Sequence, residues 1–158
     1  MKIQFLLNLI LTIVWVFLTG SMAFANFVFG FVLSFIVLWI ISRKQENRKY
    51  FVVIPQIIAF FFYFIWELLK ANMQVAADVV TPKFYMQPGI VAVPLDAKTD
   101  LEITLLANLI SLTPGSLSID VSDDKKTLYV HAMYINSKEE FVDEIKNGFE
   151  KRLLRILR

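Results

Sequence analysis

The sequence predicts a membrane α plus α+β protein: an N-terminal transmembrane helical hairpin and a third membrane helix, then a small βαββα ferredoxin-like half-sandwich. Three observations predict it. The chain of 158 residues is 57% hydrophobic, carries 15 Phe and has only 19% charged residues, with a mean hydropathy of +0.60, which is too apolar for a soluble domain of this length. That apolarity is concentrated in long runs before residue 83. Beyond it the pattern changes to short alternating stretches and helix-capping signals. The expected division is a membrane domain over 1–83 and a soluble α+β domain over 84–158.

The first run, Ile3 to Leu18, and the second, Met22 to Ile41, predict helices over about 3–18 and 22–41. A helix over the first run reaches about 24 Å, short of a bilayer core of about 30 Å, so it should tilt little or sit in thinned membrane. The uncharged link Thr19-Gly20-Ser21 makes the pair a hairpin. Ala23-Phe24-Ala25 also fits a signal-peptide cleavage site. The apolar core resumes almost at once, so the segment is expected to be retained. The third run, Phe51 to Trp66, contains Pro55 and Gln56 and continues through "ELLKANMQVAADVV" to Thr81-Pro82, giving a helix over about 51–80. Between the second and third runs, the basic loop "RKQENRK" favours the cytoplasm. Whether the third segment spans fully then decides the side on which the polar domain lies, and charge counting leaves both sides open.

In the polar part, "GIVAVPL" reads as a short apolar strand bounded by Pro88-Gly89 and Pro94. Thr99 and Glu102 form a capping box. The helix they open presents Leu101, Leu105, Leu109 and Leu112 as its expected inward stripe and stops at Thr113, because Pro114 disfavours helix in the residue before it. Gly115 can supply the turn into the next strand. Leu117, Ile119 and Val121 alternate with polar residues, as do Leu128, Val130 and Ala132 across a turn at Asp123 to Lys126. Pairing Ser122 with Thr127 sets Val121 opposite Leu128 and Ile119 opposite Val130, putting all of them on one face. A second capping box, Ser137 to Glu140, opens a last helix with Phe141 or Val142, Ile145, Phe149, Leu153 and Ile156 inward. Strand, helix, strand, strand, helix with a right-handed crossover places the third strand in the middle of the sheet.

The same residues exclude most chemistry. No Cys is present, so thiol nucleophiles and Cys-ligated metals are ruled out. Residues 84–158 lack a basic stripe with interleaved aromatics, which argues against nucleic acid. Asp120, Ser122 and Asp124 have the alternate spacing of a calcium loop, but Lys125 stands where Gly is needed and His131 where a bidentate Glu is needed. His131 has no nucleophile or ligand cluster beside it in sequence, and no glycine run cradles phosphate. No catalytic, cofactor-binding or metal residues are therefore expected, and the chain does not read as an enzyme. Glu67 and Lys70 are ionisable groups inside a membrane helix, where such residues mark an ion path or a partner charge. Three residues apart on one helix, they read here as an interfacial salt-bridged membrane charge pair.

The stretch "LEITLLANLISLTPGSLSIDVSDDKKTLYVHA", the upstream "PGIVAVPL", and the hairpin with Trp15 and Gly30 resemble the E subunit of the multisubunit Mrp-type Na+/H+ antiporters. The resemblance runs the length of the chain, and "LTPGSLSIDVSDD" is its specific part. It implies a small accessory subunit in the cell membrane, within a large complex that exchanges cytoplasmic monovalent cations for protons. The partners are then the other antiporter subunits and the lipid bilayer, and the polar domain is cytoplasmic. The translocation machinery would lie in larger sister subunits similar to those of respiratory complex I. Thr113, Pro114 and Gly115 are the expected structural and assembly residues. The alternative is a stand-alone membrane-anchored binding or sensor protein.

Overall fold

The structure is a computed structural model, and it describes residues 2–42, 49–81 and 86–158. The basic loop from Arg43 to Arg48 and the expected boundary at Lys83 lie outside the described residues. Two compact units result, 1–55 and 56–158.

In the first unit, α1 (Lys2–Thr19) and α2 (Phe24–Ile41) form the expected hairpin. Gly20 turns the chain at φ 64°, a conformation that costs other residues about 1–2 kcal/mol. Asn26 ties the tip: its Nδ2 donates to Thr19 Oγ1 at 2.6 Å and to Ser21 O at 2.7 Å, while Trp15 Nε1 donates to its Oδ1 at 3.1 Å. Gly30 lets the helices touch, since a Cβ there would lie 2.6 Å from Trp15 Cδ1. Polar side chains face inward, as they do between helices in a membrane. Asn8, Thr12 and Ser34 are buried, and Asn8 Nδ2 donates to the Tyr50 hydroxyl at 2.9 Å. The outer faces are apolar and exposed.

Helix α3 (Lys49–Val80) runs 32 residues without a break at Pro55. By length and composition, α2 and residues Tyr50–Val80 can cross a membrane, while Ile3–Thr19 is a shorter apolar helix.

The second unit holds the sheet. Strands β1 (Gly89–Pro94), β2 (Ser116–Val121) and β3 (Thr127–Ala132) are arranged β1-β3-β2 with antiparallel neighbours. Helix α4 (Asp100–Leu112) and the C-terminal helix cover one face. Val91, Val93, Leu128 and Val130 point into a core with Leu106, Ile110, Ile145, Phe149 and Leu153. The Thr99–Glu102 capping box forms, and Thr113 ends α4 in an extended conformation at φ −83°, ψ 123°, as the following proline requires.

Three expectations need correction. The inward stripe of α4 is Ile103, Leu106 and Ile110, whereas Leu101 and Leu112 are 63% and 61% exposed. Apolar residues cover most of this helix, so periodicity alone allowed either face. The alternation of β2 is inverted at its start: Ser116 pairs with Ala132 and Ser118 with Val130, so serines face inward, while Leu117 and Ile119 are 53% and 51% exposed. A bulge between Ser118 and Asp120 restores the phase, so Val121 does oppose Leu128. The cause is α4, whose last turns lie close above this strand. Ser118 Oγ donates to Ala107 O at 3.1 Å, and Ser116 Oγ to Ile110 O at 2.7 Å. Small hydroxyl residues permit that approach, and Ser116 also serves Ile110 O, a helix-end carbonyl whose i+4 residue, Pro114, has no N–H to donate. Finally, only the Ser137 half of the second capping box forms among the described residues.

Candidate assembly site

The second half of α3 meets the α+β part of its unit through Phe60, Tyr63, Phe64 and Asp78. Tyr63 stacks edge-on against Phe149 at 5.6 Å between ring centroids, and the Arg152 guanidinium lies 4.0 Å above its ring. Gly148 makes this contact possible, because a Cβ there would sit 2.5 Å from the Tyr63 hydroxyl oxygen. Glu67 and Lys70 pair at 2.6 Å. At the end of α3, buried Asp78 accepts a short hydrogen bond from the Tyr134 hydroxyl. That bond, then burial, push the Tyr134 hydroxyl's pKa up.

Thr113, Pro114 and Gly115 are brought to this joint. A cavity of about 540 Å³ is lined by all three together with Glu67, Lys70 and Tyr134. Gly115 is at φ 86°, and a Cβ there would lie 3.2 Å from the Tyr134 ring. Its carbonyl accepts from Met133 N at 2.8 Å. The Thr113 and Ser116 hydroxyls, 2.7 Å apart, both lie within hydrogen-bond distance of Ile110 O. The tripeptide therefore fixes where β2 leaves α4 and where Tyr134 stands to grip α3. Glu144 also lines the cavity, and its carboxyl is pushed up by partial desolvation. This geometry can transmit position; it offers no nucleophile–base arrangement among the described residues.

Sequence reasoning missed a second constellation. The C-terminal helix is not uniform: α5 (Lys138–Asp143) passes into a π-helical segment, Glu144–Glu150, and then α6 (Lys151–Leu157). The wider turn brings Glu150 inward beside Phe149 until it is 1% exposed. Its Oε1 accepts from Asp96 N at 2.6 Å and Ala97 N at 2.9 Å, and its Oε2 pairs with Lys146 at 3.0 Å. Buried Glu102 accepts from Lys98 N and Thr99 N and from the Arg158 guanidinium. Arg158, then the Lys98 amide, hold the Glu102 carboxyl at about 2, well below the usual carboxylate range. Two buried carboxylates thus pin the loop from Asp96 to Thr99. The one sequence signal was Glu102 in its capping box; Glu150 gave none. Of the calcium-spaced oxygens, Asp124 Oδ1 accepts from Ser122 Oγ and Lys126 N, and Asp120 Oδ1 from Val121 N, so these serve the turn.

The sequence model of the MnhE family, described as a Na+/H+ ion antiporter subunit, matches residues 8–156. The chain belongs to this family. It is 42% identical to the E subunit of the Na+/H+ antiporter of Alkalihalophilus pseudofirmus over 99% of both chains. The E1 subunit of the Na+/H+ antiporter of Staphylococcus haemolyticus is likewise 42% identical, over 96% of this chain and 95% of its own length. In the structure of the Mrp complex from Dietzia sp. DQ12-45-1b, one chain is similar with a TM-score of 0.50 and 28% identity. That likeness covers 65% of this chain and 96% of the other. A chain of an archaeal membrane-bound sulfane sulfur reductase matches with a TM-score of 0.56 and 27% identity, over 98% and 99% of the two chains. Membership places the chain among components of a transporter, rather than among classical enzymes.

Proposed function

We propose that the chain is an accessory and assembly subunit of a multisubunit Na+/H+ antiporter, supporting ion homeostasis and tolerance of alkali and salt without forming the ion path. The observation that carries this is the end-to-end similarity to the E subunits of such antiporters. Residues 1–83 act as a multi-pass membrane domain, and residues 84–158 as a ferredoxin-like half-sandwich in the cytoplasm. Thr113, Pro114 and Gly115 act in assembly through geometry. Two features support the accessory role: Glu67 is paired with Lys70 and Asp78 with Tyr134, so neither acid of α3 is held ready for a relay along a bilayer-deep path. The exposed apolar faces of α1, α2 and α3 suit neighbouring spans.

The test is reconstitution. The purified chain alone in liposomes should give no cation/proton exchange, and its deletion from the complex should lower or abolish exchange. Robust exchange by the lone chain would overturn the accessory reading. Co-purification with no sister subunits would favour the stand-alone alternative. Sidedness is tested separately with a cysteine at Ser122, in a chain that has none; labelling by an impermeant thiol reagent on intact cells would place the domain outside.

A further inference from the structure

A groove of about 1500 Å³ runs along the outer side of the C-terminal helix, between the Pro94–Lys98 loop and the hairpin turn at Asp124 to Lys126. Its floor includes Pro94, Leu95, Val142 and Leu154. Seven basic and four acidic side chains line it, an excess of three positive charges. Lys125, Lys146 and Arg158 are paired within the chain. Lys98, Lys126, Lys151 and Arg155 have no ion-pair partner among the described residues. Glu139 and Asp143 stand at one end of the helical wall, and Lys151 and Arg155 at the other.

The groove is also rigid in an unusual way. Buried carboxylates are costly and are weak contributors to stability even when paired. Here two of them, Glu102 and Glu150, hold a single surface loop, and Glu150 reaches it through a π-helical turn. Such turns occur frequently at functional sites. Lys146 adds a bond to Pro94 O at 3.0 Å. The loop so fixed is one wall of the groove, and a wall held in place lowers the ordering cost of binding.

We infer that this groove receives an acidic, partly apolar segment of a sister antiporter subunit, with its carboxylates against Lys98, Lys126, Lys151 and Arg155. Charge complementarity sets the sign of the occupant, and the apolar floor requires a side-chain face. An anionic membrane surface fits poorly: it is planar, and it leaves the partly buried Leu95, Val142 and Leu154 between the basic side chains uncovered. The inference rests on the assembly role proposed above.

The test uses the intact complex and a zero-length carbodiimide, which joins a lysine amine to a carboxylate in contact with it. Amide links should form from Lys98, Lys126 or Lys151 to Asp or Glu residues of a sister subunit. The triple variant Lys126→Glu, Lys151→Glu, Arg155→Glu should retain about tenfold less of the sister subunits at physiological salt, while the lysine-to-arginine counterparts retain them. Links only to a second copy of this chain, or none from these lysines in an intact complex, would overturn the inference. Protection of the lysines in the lone chain in phosphatidylglycerol nanodiscs but not phosphatidylcholine nanodiscs would do the same, in favour of a membrane. Failure of any sister subunit to co-purify with the wild-type chain would instead sink the assembly reading itself.

Discussion

Replacing Glu150 with alanine tests whether the π-turn carboxylate holds the Asp96–Ala97 loop. The side chain accepts from two amides, one of them buried, and pairs with Lys146. Removing it leaves the buried Ala97 amide unpaired, at about 1–3 kcal/mol, and takes a charge-assisted bond of about 1.5 kcal/mol from the Asp96 amide, which lies nearer solvent. Lys146 keeps Asp96 at 2.7 Å, so its own loss is small. The total is about 3–4 kcal/mol, within the range for breaking a buried charged contact. The melting temperature of the purified full chain in detergent should fall on the order of 10 °C. Hydrogen exchange at the Ala97 amide should rise at least about tenfold, beyond any change at Val130 in the sheet centre. Glu150→Gln keeps an acceptor oxygen for the two amides but makes those bonds neutral and replaces the oxygen facing Lys146 with an NH2 donor, so it should cost less than the alanine variant, about 1–3 kcal/mol. An alanine variant that melts like wild type with unchanged Ala97 exchange would refute the reasoning.

Other expectations follow from the same contacts. The Glu102 carboxyl is lowered from an ordinary 4.5 to about 2, so its stabilising contribution is full above about pH 4.5 and is lost as pH falls towards 2. Melting curves should be flat in this respect from pH 7 to 5 and fall below that, and Arg158→Met should flatten the acid limb. Gly115→Ala meets a left-handed backbone and the Tyr134 ring at 3.2 Å. It should cost about 1–2 kcal/mol and lower complex yield, whereas unchanged yield would detach this turn from assembly. Pro114→Gly should loosen the same α4-to-β2 junction and lower antiport or complex yield. Gly30→Leu would drive a side chain into Trp15 at about 1–3 kcal/mol, read as reduced yield of folded chain in the membrane.

What the sequence disclosed, and what it hid, divides along physical lines. Signals confined to a few neighbouring residues were legible: Thr99 with Glu102, Thr113 before Pro114, Ser122 pairing with Thr127. The sheet order was reachable because chirality leaves few alternatives. Faces were less so. Alternation assigns Leu117 and Ile119 to the core, yet tertiary packing of α4 claims that side for Ser116 and Ser118. No local pattern records a helix that arrives from elsewhere. The π-segment is harder still, because Ile145, Phe149 and Leu153 fit an α-helical stripe, and nothing distinguishes Glu150 from the solvated acids before it. Its burial is decided by two amides more than fifty residues upstream and by Tyr63 needing Gly148 beneath it. Those are long-range conditions, and they gather around the joint to α3 and the groove. The departures from local rules therefore fall where the proposed assembly contacts are, which is where a chain selected for a partner would place them.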